Sequence, residues 1–411
     1  MGKVREFAER LWTGEESTER AQPVTTVIGL EELSAGLAFV ASFANVTVLD
    51  TAEGLVLIDT GSFFLARNNH SQIREWSPKR VHTAVYTHGH VDHAFGLGPF
   101  EEEARTRGEP LPNVIAHEAL PARFERYQLT PGYNEHINRR QFGMAKWPTE
   151  YRYPDRTFQR DLSLEVGSEK IELHHDRGET DDHVWAFVPA RKILCTGDLF
   201  IWASPNCGNP QKVQRYPREW ARALRKMSAL GAETLLPGHG PPIFGGERVR
   251  QALDESAELL EFLLDRTLEM MNGGARLNEI LHTIKAPERL LVRPYLRPVY
   301  DEPEFIVRNI WRFYGGWHDG NPANLKPARD EELGRELSVL AGGPEKLAAR
   351  AEELAATGEY RLACQLAELA WLAAPDDARI RALRERIYTA RAERETSLMA
   401  KGVFRAAAKG H

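Results

Sequence analysis

The sequence predicts a mixed α/β region followed by an all-α region, and three observations carry this. Between about residues 25 and 243, short apolar runs rich in β-branched residues alternate with turn residues, with more strand than a parallel α/β fold usually shows. Beyond about residue 246 the strand signal stops, and a long helical pattern runs over 249–271. From 344 to about 394 the chain is alanine-rich, and Gly358, Glu359, Tyr360, Ala363, Ala367 and Pro375 fall at the spacing of one tetratricopeptide-like helix pair. With 411 residues the chain has room for two or three domains. The expected division is a terminal helix or extension over 1–24, the α/β region over 25–250, a helical connection over 251–330 and a helical domain over 331–411.

Taken in order, the amino-terminal MGKVREFAERLW alternates charge and bulk as an amphipathic helix does, and lacks the apolar stretch of a signal peptide. Glu6 stands where a myristoylation motif needs Ser or Thr. Residues 46–49 and 55–58, joined through Thr51-Ala52-Glu53-Gly54, read as a hairpin. Residues 81–86 read as a strand that ends directly at a histidine-rich segment. Strands over 113–116, 171–173, 184–188 and 193–195 continue the series, with a helix over 218–230. Gly273-Gly274 stops the long helix. A proline- and aromatic-rich connection follows over 287–303, then a helix through Ile306, Val307, Ile310 and Trp311. Gly315-Gly316-Trp317-His318-Asp319-Gly320-Asn321-Pro322 is a loop too rich in aromatic and polar residues to serve only as a linker. One repeat pair and a further helix over 378–394 are too few to bury their own apolar faces. The missing surface is the rest of the chain or a second copy, so a homodimer is expected.

The formal net charge of −6 argues against a general nucleic-acid binder, and any anionic substrate needs locally placed cations. No stretch approaches the 18 or so uninterrupted apolar residues of a membrane-spanning helix, so no stable membrane insertion is expected. Cys195, Cys207 and Cys364 are far apart and odd in number, which does not make a disulfide framework. A reducing, cytoplasmic location is the expectation. Cys195, in a predicted buried strand, reads as a small apolar residue.

The chemistry concentrates in Thr87-His88-Gly89-His90-Val91-Asp92-His93, placed at the mouth of a sheet by the strand before it. Four potential ligands in six residues cannot all enter a core, where each would cost several kcal/mol unpaired. His88 and His90 can approach one ion while Asp92 and His93 turn toward a second.

This string resembles that of the metallo-β-lactamase superfamily, and the chain resembles that superfamily's alkylsulfatases from about residue 25 to 394. The resemblance implies an αββα sandwich with two metal ions at the edge of its sheets. Leu57-Ile58-Asp59-Thr60-Gly61 looks like the strand end whose aspartate orients the metal loop. Thr196-Gly197-Asp198 looks like the strand end whose aspartate bridges both ions, and Leu236-Pro237-Gly238-His239-Gly240 like the segment bearing the last histidine. By these matches His239 joins Asp92 and His93 on the second ion. Where most members have Gly-His-Thr, this chain reads Arg177-Gly178-Glu179-Thr180-Asp181-Asp182-His183. Glu179 is placed there as the third ligand beside His88 and His90, with His175 and His183 as alternatives.

A carboxylate at that position is similar to the alkylsulfatases of the superfamily. Asn138-Arg139-Arg140-Gln141-Phe142-Gly143, and the stretch from Tyr314 through Trp317 to Leu325, also resemble segments of that family, the latter preceding its helical dimerisation domain. Two departures stand out. The chain ends before the sterol-carrier-like domain of the fuller alkylsulfatases could begin, and the bridging residue is Asp198 where they tend to carry glutamate.

The resemblance implies two divalent ions, most simply zinc, although iron or manganese accept the same nitrogen and oxygen donors. Such a pair lowers the pKa of a shared water toward neutrality and supplies hydroxide for hydrolysis. Asp92 and Asp198 are thereby catalytic as well as ligating. Lys212, Arg215, Arg308 and Arg312 are the cations expected to receive an anionic head, Arg312 foremost, with Tyr314 and Asn321 adding hydrogen bonds. His318 or His136 is expected to protonate the leaving group. The expected reaction is hydrolysis of a sulfate ester. The nearest alternative is another ester class, a phosphodiester, lactone or β-lactam; an iron-based redox site and an inactive hydrolase core that serves as a helical-repeat interaction protein are weaker ones.

Overall fold

The computed structural model describes residues 2–144 and 146–410. The chain divides into two units, Met1–Pro131 with Pro148–Gly316, and Gly132–Trp147 with Trp317–His411. Among the described residues no helix is long and apolar enough to cross a membrane.

The first unit holds two sheets. One has the order β1 (Gly29–Ser34), β2 (Leu37–Ala41), β3 (Val46–Thr51), β4 (Gly54–Ile58), β5 (Val81–Val85), β6 (Asn113–His117), β7 (Arg156–Phe158). Its first four strands run antiparallel and β4 to β7 run parallel. The expected hairpin is β3–β4, paired from Thr47 opposite Ile58 to Thr51 opposite Gly54. The other sheet contains β8 (Asp161–Val166), β9 (Glu169–His175), β10 (Val184–Val188), β11 (Ile193–Ile201), β12 (Thr234–His239) and β13 (Ile243–Phe244) in reverse spatial order, with β11 and β12 parallel.

Side-chain alternation explains the layers. In β10, Val184, Ala186 and Val188 face inward and join Phe39, Val56, Val85 and Ile115 of the first sheet in one core. Trp185 and Phe187 face outward against Trp220, Leu224 and Met227 of the helix Pro217–Ser228 and against the helix Gly246–Asn272. A strand buried on both faces therefore reads as an unbroken apolar run. On the far side the helix Ala66–Trp76 packs on β1 and β2. This is the expected αββα arrangement.

The long helix matches its expected span, and Gly273 and Gly274 follow it. The expected helix near 306 is Pro303–Gly315. The second unit contains helices Asp330–Ala341, Pro344–Ala356, Tyr360–Ala373, Ala378–Arg394 and Leu398–Ala408, so the single pair seen in the sequence has more neighbours than expected. Ala351, Ala363, Ala367, Ile380 and Ile387 form its core, so the chain itself supplies part of the missing surface. Leu333, Val339 and Leu340 of the first of these helices remain exposed, at 47%, 75% and 82%.

Candidate metal centre

The site is built where strands end. Asp59 follows β4, Thr87 and His88 follow β5, Glu179 lies between β9 and β10, and His239 is the last residue of β12. Asp198 is inside β11 rather than at its end, because β11 runs six residues past Cys195. Its pairing with β12 shifts at Gly197, whose φ of +49 is a left-handed conformation easily adopted by glycine. That irregularity turns the Asp198 side chain toward the histidines.

His88, His90, Glu179 and Asp198 bring one potential ligand atom each within 4.8 Å of one another, and so do Asp92, His93 and His239. Asp198 reaches both groups. Its Oδ1 is 3.3 Å from His93 Nε2, and its Oδ2 is 3.4 Å from His239 Nε2 and 3.9 Å from His88 Nε2. Glu179 Oε2 is 3.6 Å from His88 Nε2 and 3.7 Å from His90 Nδ1. Asp92 Oδ2 is 3.4 Å from His239 Nε2.

Glu179 Oε2 and Asp198 Oδ1 are buried without a hydrogen-bond partner. Ring nitrogens face each other as well, His88 Nε2 and His90 Nδ1 at 2.8 Å and His93 Nε2 and His239 Nε2 at 3.2 Å. Buried carboxylate oxygens and imidazole lone pairs converging in this way fit shared cations, and imidazole with carboxylate suits divalent transition metals.

On His88, His93 and His239 the opposite ring nitrogen is held by the fold, which leaves the converging one for an ion. His93 Nδ1 donates to Asp59 Oδ2 at 2.8 Å, and His239 Nδ1 donates to the Phe43 carbonyl at 2.5 Å. His88 Nδ1 lies 3.0 Å from Thr87 Oγ1, which donates onward to Asp59 Oδ2 at 2.8 Å. Asp59 therefore orients two histidines, from a left-handed backbone with φ of +58 that aspartate tolerates better than most residues.

The electrostatics describe a site short of positive charge. Burial first, and the Asp198 charge second, push Glu179 well above the usual carboxylate range, while Arg215 pulls it back. Burial opposes a charged His239, yet Asp198 and Asp92 overcome it and raise its pKa to about 10. Burial leads in holding His88 and His90 well below their ordinary value.

The two histidines left open as alternatives to Glu179 lie elsewhere. His183 Nε2 accepts from the Asp198 backbone N–H at 3.1 Å, and its ring stacks on His88 at 4.8 Å. His175 Nδ1 donates to the His183 carbonyl at 2.9 Å, and its ring stacks on His117 at 3.5 Å.

Arg215 is fully enclosed and faces Glu179 Oε1 at 3.3 Å, with the Val213 carbonyl at 2.9 Å. It is thus a partner of the ligand rather than an open anion receptor. The charges of Asp92 and Glu179 reach Lys212, whose ammonium is pushed down to about 7 by burial first and Arg215 next. Arg312 bonds Gln214 Oε1 at 3.1 Å. Arg308 turns along its own helix toward Glu304 at 3.8 Å. Tyr314 packs on Phe313 at 4.9 Å and feels the charges of Glu219, Arg218 and Arg222. His318 and Asn321 belong to the helical unit, where Asn321 Oδ1 caps its own turn by accepting from Ala323 N at 3.2 Å. His136, in the same unit, accepts from Arg140 at 2.6 Å.

Sequence reasoning missed several supports. Arg123 and Asp182 form a buried pair, and Asp182 Oδ2 accepts from the Gly89 N–H between His88 and His90. Asn206 donates to Glu179 Oε1. The charges of Glu179, Asp92 and Asp198 reach Tyr300, whose hydroxyl burial first and these carboxylates next hold well above its ordinary pKa.

Residues 40–239 match the sequence family described as the metallo-beta-lactamase superfamily. Over this stretch, 200 of the 411 residues, the chain is similar to that superfamily. Residues 276–411 match a second family, described as alkyl sulfatase dimerisation. A linear primary-alkylsulfatase from Pseudomonas sp. (strain ATCC 19151) is 27% identical over 367 residues, covering 83% of this chain and 69% of that one. An (R)-specific secondary-alkylsulfatase from Pseudomonas sp. is 28% identical over 374 residues, covering 83% of this chain and 56% of that one. The chain thus spans little more than half of the second relative's length. The solved structure of a stereoselective inverting sec-alkylsulfatase from Pseudomonas sp. has the same fold, with a TM-score of 0.84 at 24% identity, covering 93% of this chain and 66% of that one.

Proposed function

We propose that this chain is a dinuclear metal-dependent hydrolase of sulfate esters. His88, His90 and Glu179 hold one divalent ion, Asp92, His93 and His239 hold the other, and Asp198 reaches both. Zinc suits this donor set. The observation that carries the sulfate ester is Glu179, a carboxylate standing beside His88 and His90 in a chain 27% and 28% identical to two proteins named as alkylsulfatases. When bound, two such ions make a water nucleophilic near neutral pH and offset charge on the ester oxygens. The chain's own residues do the rest. Asp59 and the Phe43 carbonyl fix the histidine rings, Arg215 and Asn206 fix Glu179, and Lys212 and Arg312 give a net acidic protein a local attraction for an anionic head.

The test is sulfate release from primary and secondary alkyl sulfates by the purified, metal-loaded chain. Release supports the reading, and its absence with all of them overturns it. Asp198, shorter than the glutamate that alkylsulfatases tend to carry, favours as second reading another ester class. Turnover of a phosphodiester, lactone or β-lactam in place of the sulfates would establish that one.

Metal removal has a thermal signature. At free metal near 1,000 times its Kd, one ion stabilises the folded state by about 4.1 kcal/mol. With roughly 2–4 °C per kcal/mol for a domain of this size, chelation is expected to lower Tm by on the order of 10 °C, reversed by adding metal back.

Lys212 gives a pH dependence. Its ammonium is charged below about 7 and neutral above. Attraction for an anionic ester is therefore present at lower pH and lost as pH rises through that value. KM on an alkyl sulfate is expected to climb by up to about tenfold between pH 6 and 8.5, the factor that ~1.4 kcal/mol represents. Lys212→Arg keeps its charge over this range and should flatten the rise.

A homodimer is supported by the match over 276–411 and by the exposed Leu333, Val339 and Leu340. Sedimentation should find two chains. The three unpaired cysteines support a reducing, cytoplasmic setting. We assign catalysis to 25–250 and dimerisation to 331–411, joined by 251–330.

A further inference from the structure

We infer that Asn309 is a positioning residue for the first ion: from the helix Pro303–Gly315 it fixes the irregular segment whose Arg215 and Asn206 grip Glu179. This rests on the reading of Glu179 as a ligand. The two oxygens of Glu179 are divided between tasks. Oε2 faces His88 and His90, and Oε1 takes the Asn206 amide and the Arg215 guanidinium. The direction in which Oε2 points is therefore set by where residues 206 and 215 stand.

Both residues lie between the end of β11 at Ile201 and the helix Pro217–Ser228, in chain with no regular structure of its own. A segment of this kind keeps its shape only through the bonds it makes to something rigid. Tyr216 N at its end donates to the Gly178 carbonyl at 3.0 Å, and several of its other bonds lead to one later stretch of the chain. The Asn309 amide takes both backbone polar groups of Arg215. Its Oδ1 accepts from Arg215 N at 3.4 Å, and its Nδ2 donates to Arg215 O at 3.2 Å. The same Oδ1 accepts from Gln214 Nε2 at 2.8 Å, and Asn309 is only 6% exposed. At the other end of the segment, Gly208 N donates to the buried Asp301 Oδ2 at 2.5 Å. A Cβ on Gly208 would lie 2.2 Å from Ile306 N, so the backbone comes close enough to this helix only because residue 208 is glycine.

Truncating Asn309 leaves the buried Arg215 N–H without its acceptor and the Arg215 carbonyl with Gln214 Nε2 alone, at 2.7 Å, which loosens the residue that aims Glu179. Partners behind a metal ligand affect affinity by about 10–100-fold when removed. The effect is confined to the first ion. His93 and His239 are oriented by Asp59 and the Phe43 carbonyl, which make no bond to this segment.

The test is a zinc-binding isotherm, by chelator competition, on the full-length wild type and on Asn309→Ala, Asn309→Asp and Arg308→Ala, with Tm of each metal-free chain measured alongside. The wild type should take up two ions. Asn309→Ala should weaken one of them by about 10–100-fold and leave the other unchanged. Asn309→Asp keeps the acceptor for Gln214 and Arg215 N and should recover most of that loss. Arg308→Ala, on the exposed side of the same helix, should bind both ions as the wild type does. Equal weakening of both ions in Asn309→Ala, together with a lowered metal-free Tm, indicates a general structural role and overturns the proposal. So does an isotherm identical to wild type. A wild-type chain that takes up fewer than two ions overturns the ligand reading of Glu179 and this inference with it.

Discussion

Asp198→Ala is expected to lower kcat/KM on an alkyl sulfate by at least about 10³-fold, and to reduce the metal content from two ions per chain to one or fewer. The size of the effect follows from position. Asp198 is the one carboxylate whose two oxygens reach both groups of ligands, with Oδ1 3.3 Å from His93 Nε2 and Oδ2 3.9 Å from His88 Nε2. With two ions bound as proposed, its loss would strip one negative ligand from each and leave Glu179 and Asp92 with more positive charge to share. Charge stabilisation by a correctly held ion supplies several kcal/mol to the transition state, and about 4 kcal/mol is 10³-fold in rate. Asp198→Asn separates charge from shape, since the amide fills the same space without the negative charge. If it keeps both ions and most of the activity, the bridging role of Asp198 is wrong. Metal content by elemental analysis and initial rates on one alkyl sulfate decide it.

What the sequence shows well is what is local. His88, His90, Asp92 and His93 lie within six residues of one another, and Glu179, Asp198 and His239 each sit in a short stretch with recognisable turn chemistry. The hairpin Val46–Thr51 with Gly54–Ile58 was legible because its apolar runs flank a four-residue turn. Strand β1, GLEELS, was not, because its polar residues are half-buried or exposed and pairing with β2 alone makes it a strand. The end of β11 was placed too early, since Thr196-Gly197-Asp198 reads as a break although pairing with β12 resumes beyond it. Helix Asp330–Ala341 carries a glycine and a mostly exposed surface, which hides it beside the alanine-rich stretch. The supports of the site are single polar residues distant in sequence. Asn309 meets Arg215 from 94 positions away, and Asp182 meets Gly89 from 93. No periodicity marks such residues, so only the folded chain reveals them.

Arg123→Met is expected to destabilise the chain by about 3–5 kcal/mol, because it leaves a buried carboxylate without its cation. Arg123 Nε donates to Asp182 Oδ1 at 2.9 Å, Arg123 is 2% exposed, and Asp182 is fully enclosed. Burial alone would raise the Asp182 carboxyl, and the Arg123 charge, helped by the Thr180 hydroxyl and the Gly89 N–H, holds it below its ordinary value instead. In wild type this contributes stability above the unfolded carboxylate range, lost only as pH falls toward the depressed folded value. In Arg123→Met the folded pKa moves above the unfolded one, so that stability falls as pH rises. The gap between the two proteins is therefore largest near neutrality and shrinks toward pH 4. The Tm difference at pH 7 should be on the order of 10 °C. Arg123→Met with Asp182→Leu removes both charges, and replacing a buried pair by apolar groups is often neutral or stabilising, so most of the lost stability should return. The metal site should not recover with it. Gly89 N donates to Asp182 Oδ2 at 2.8 Å, and Gly89 lies between His88 and His90. Leucine offers that N–H no acceptor, and the two histidines lose the fixed turn that aims them at one ion. A double variant with restored Tm and weakened binding of the first ion separates what this buried pair does for folding from what it does for the site. Full recovery of both would show that the Gly89 turn holds without Asp182.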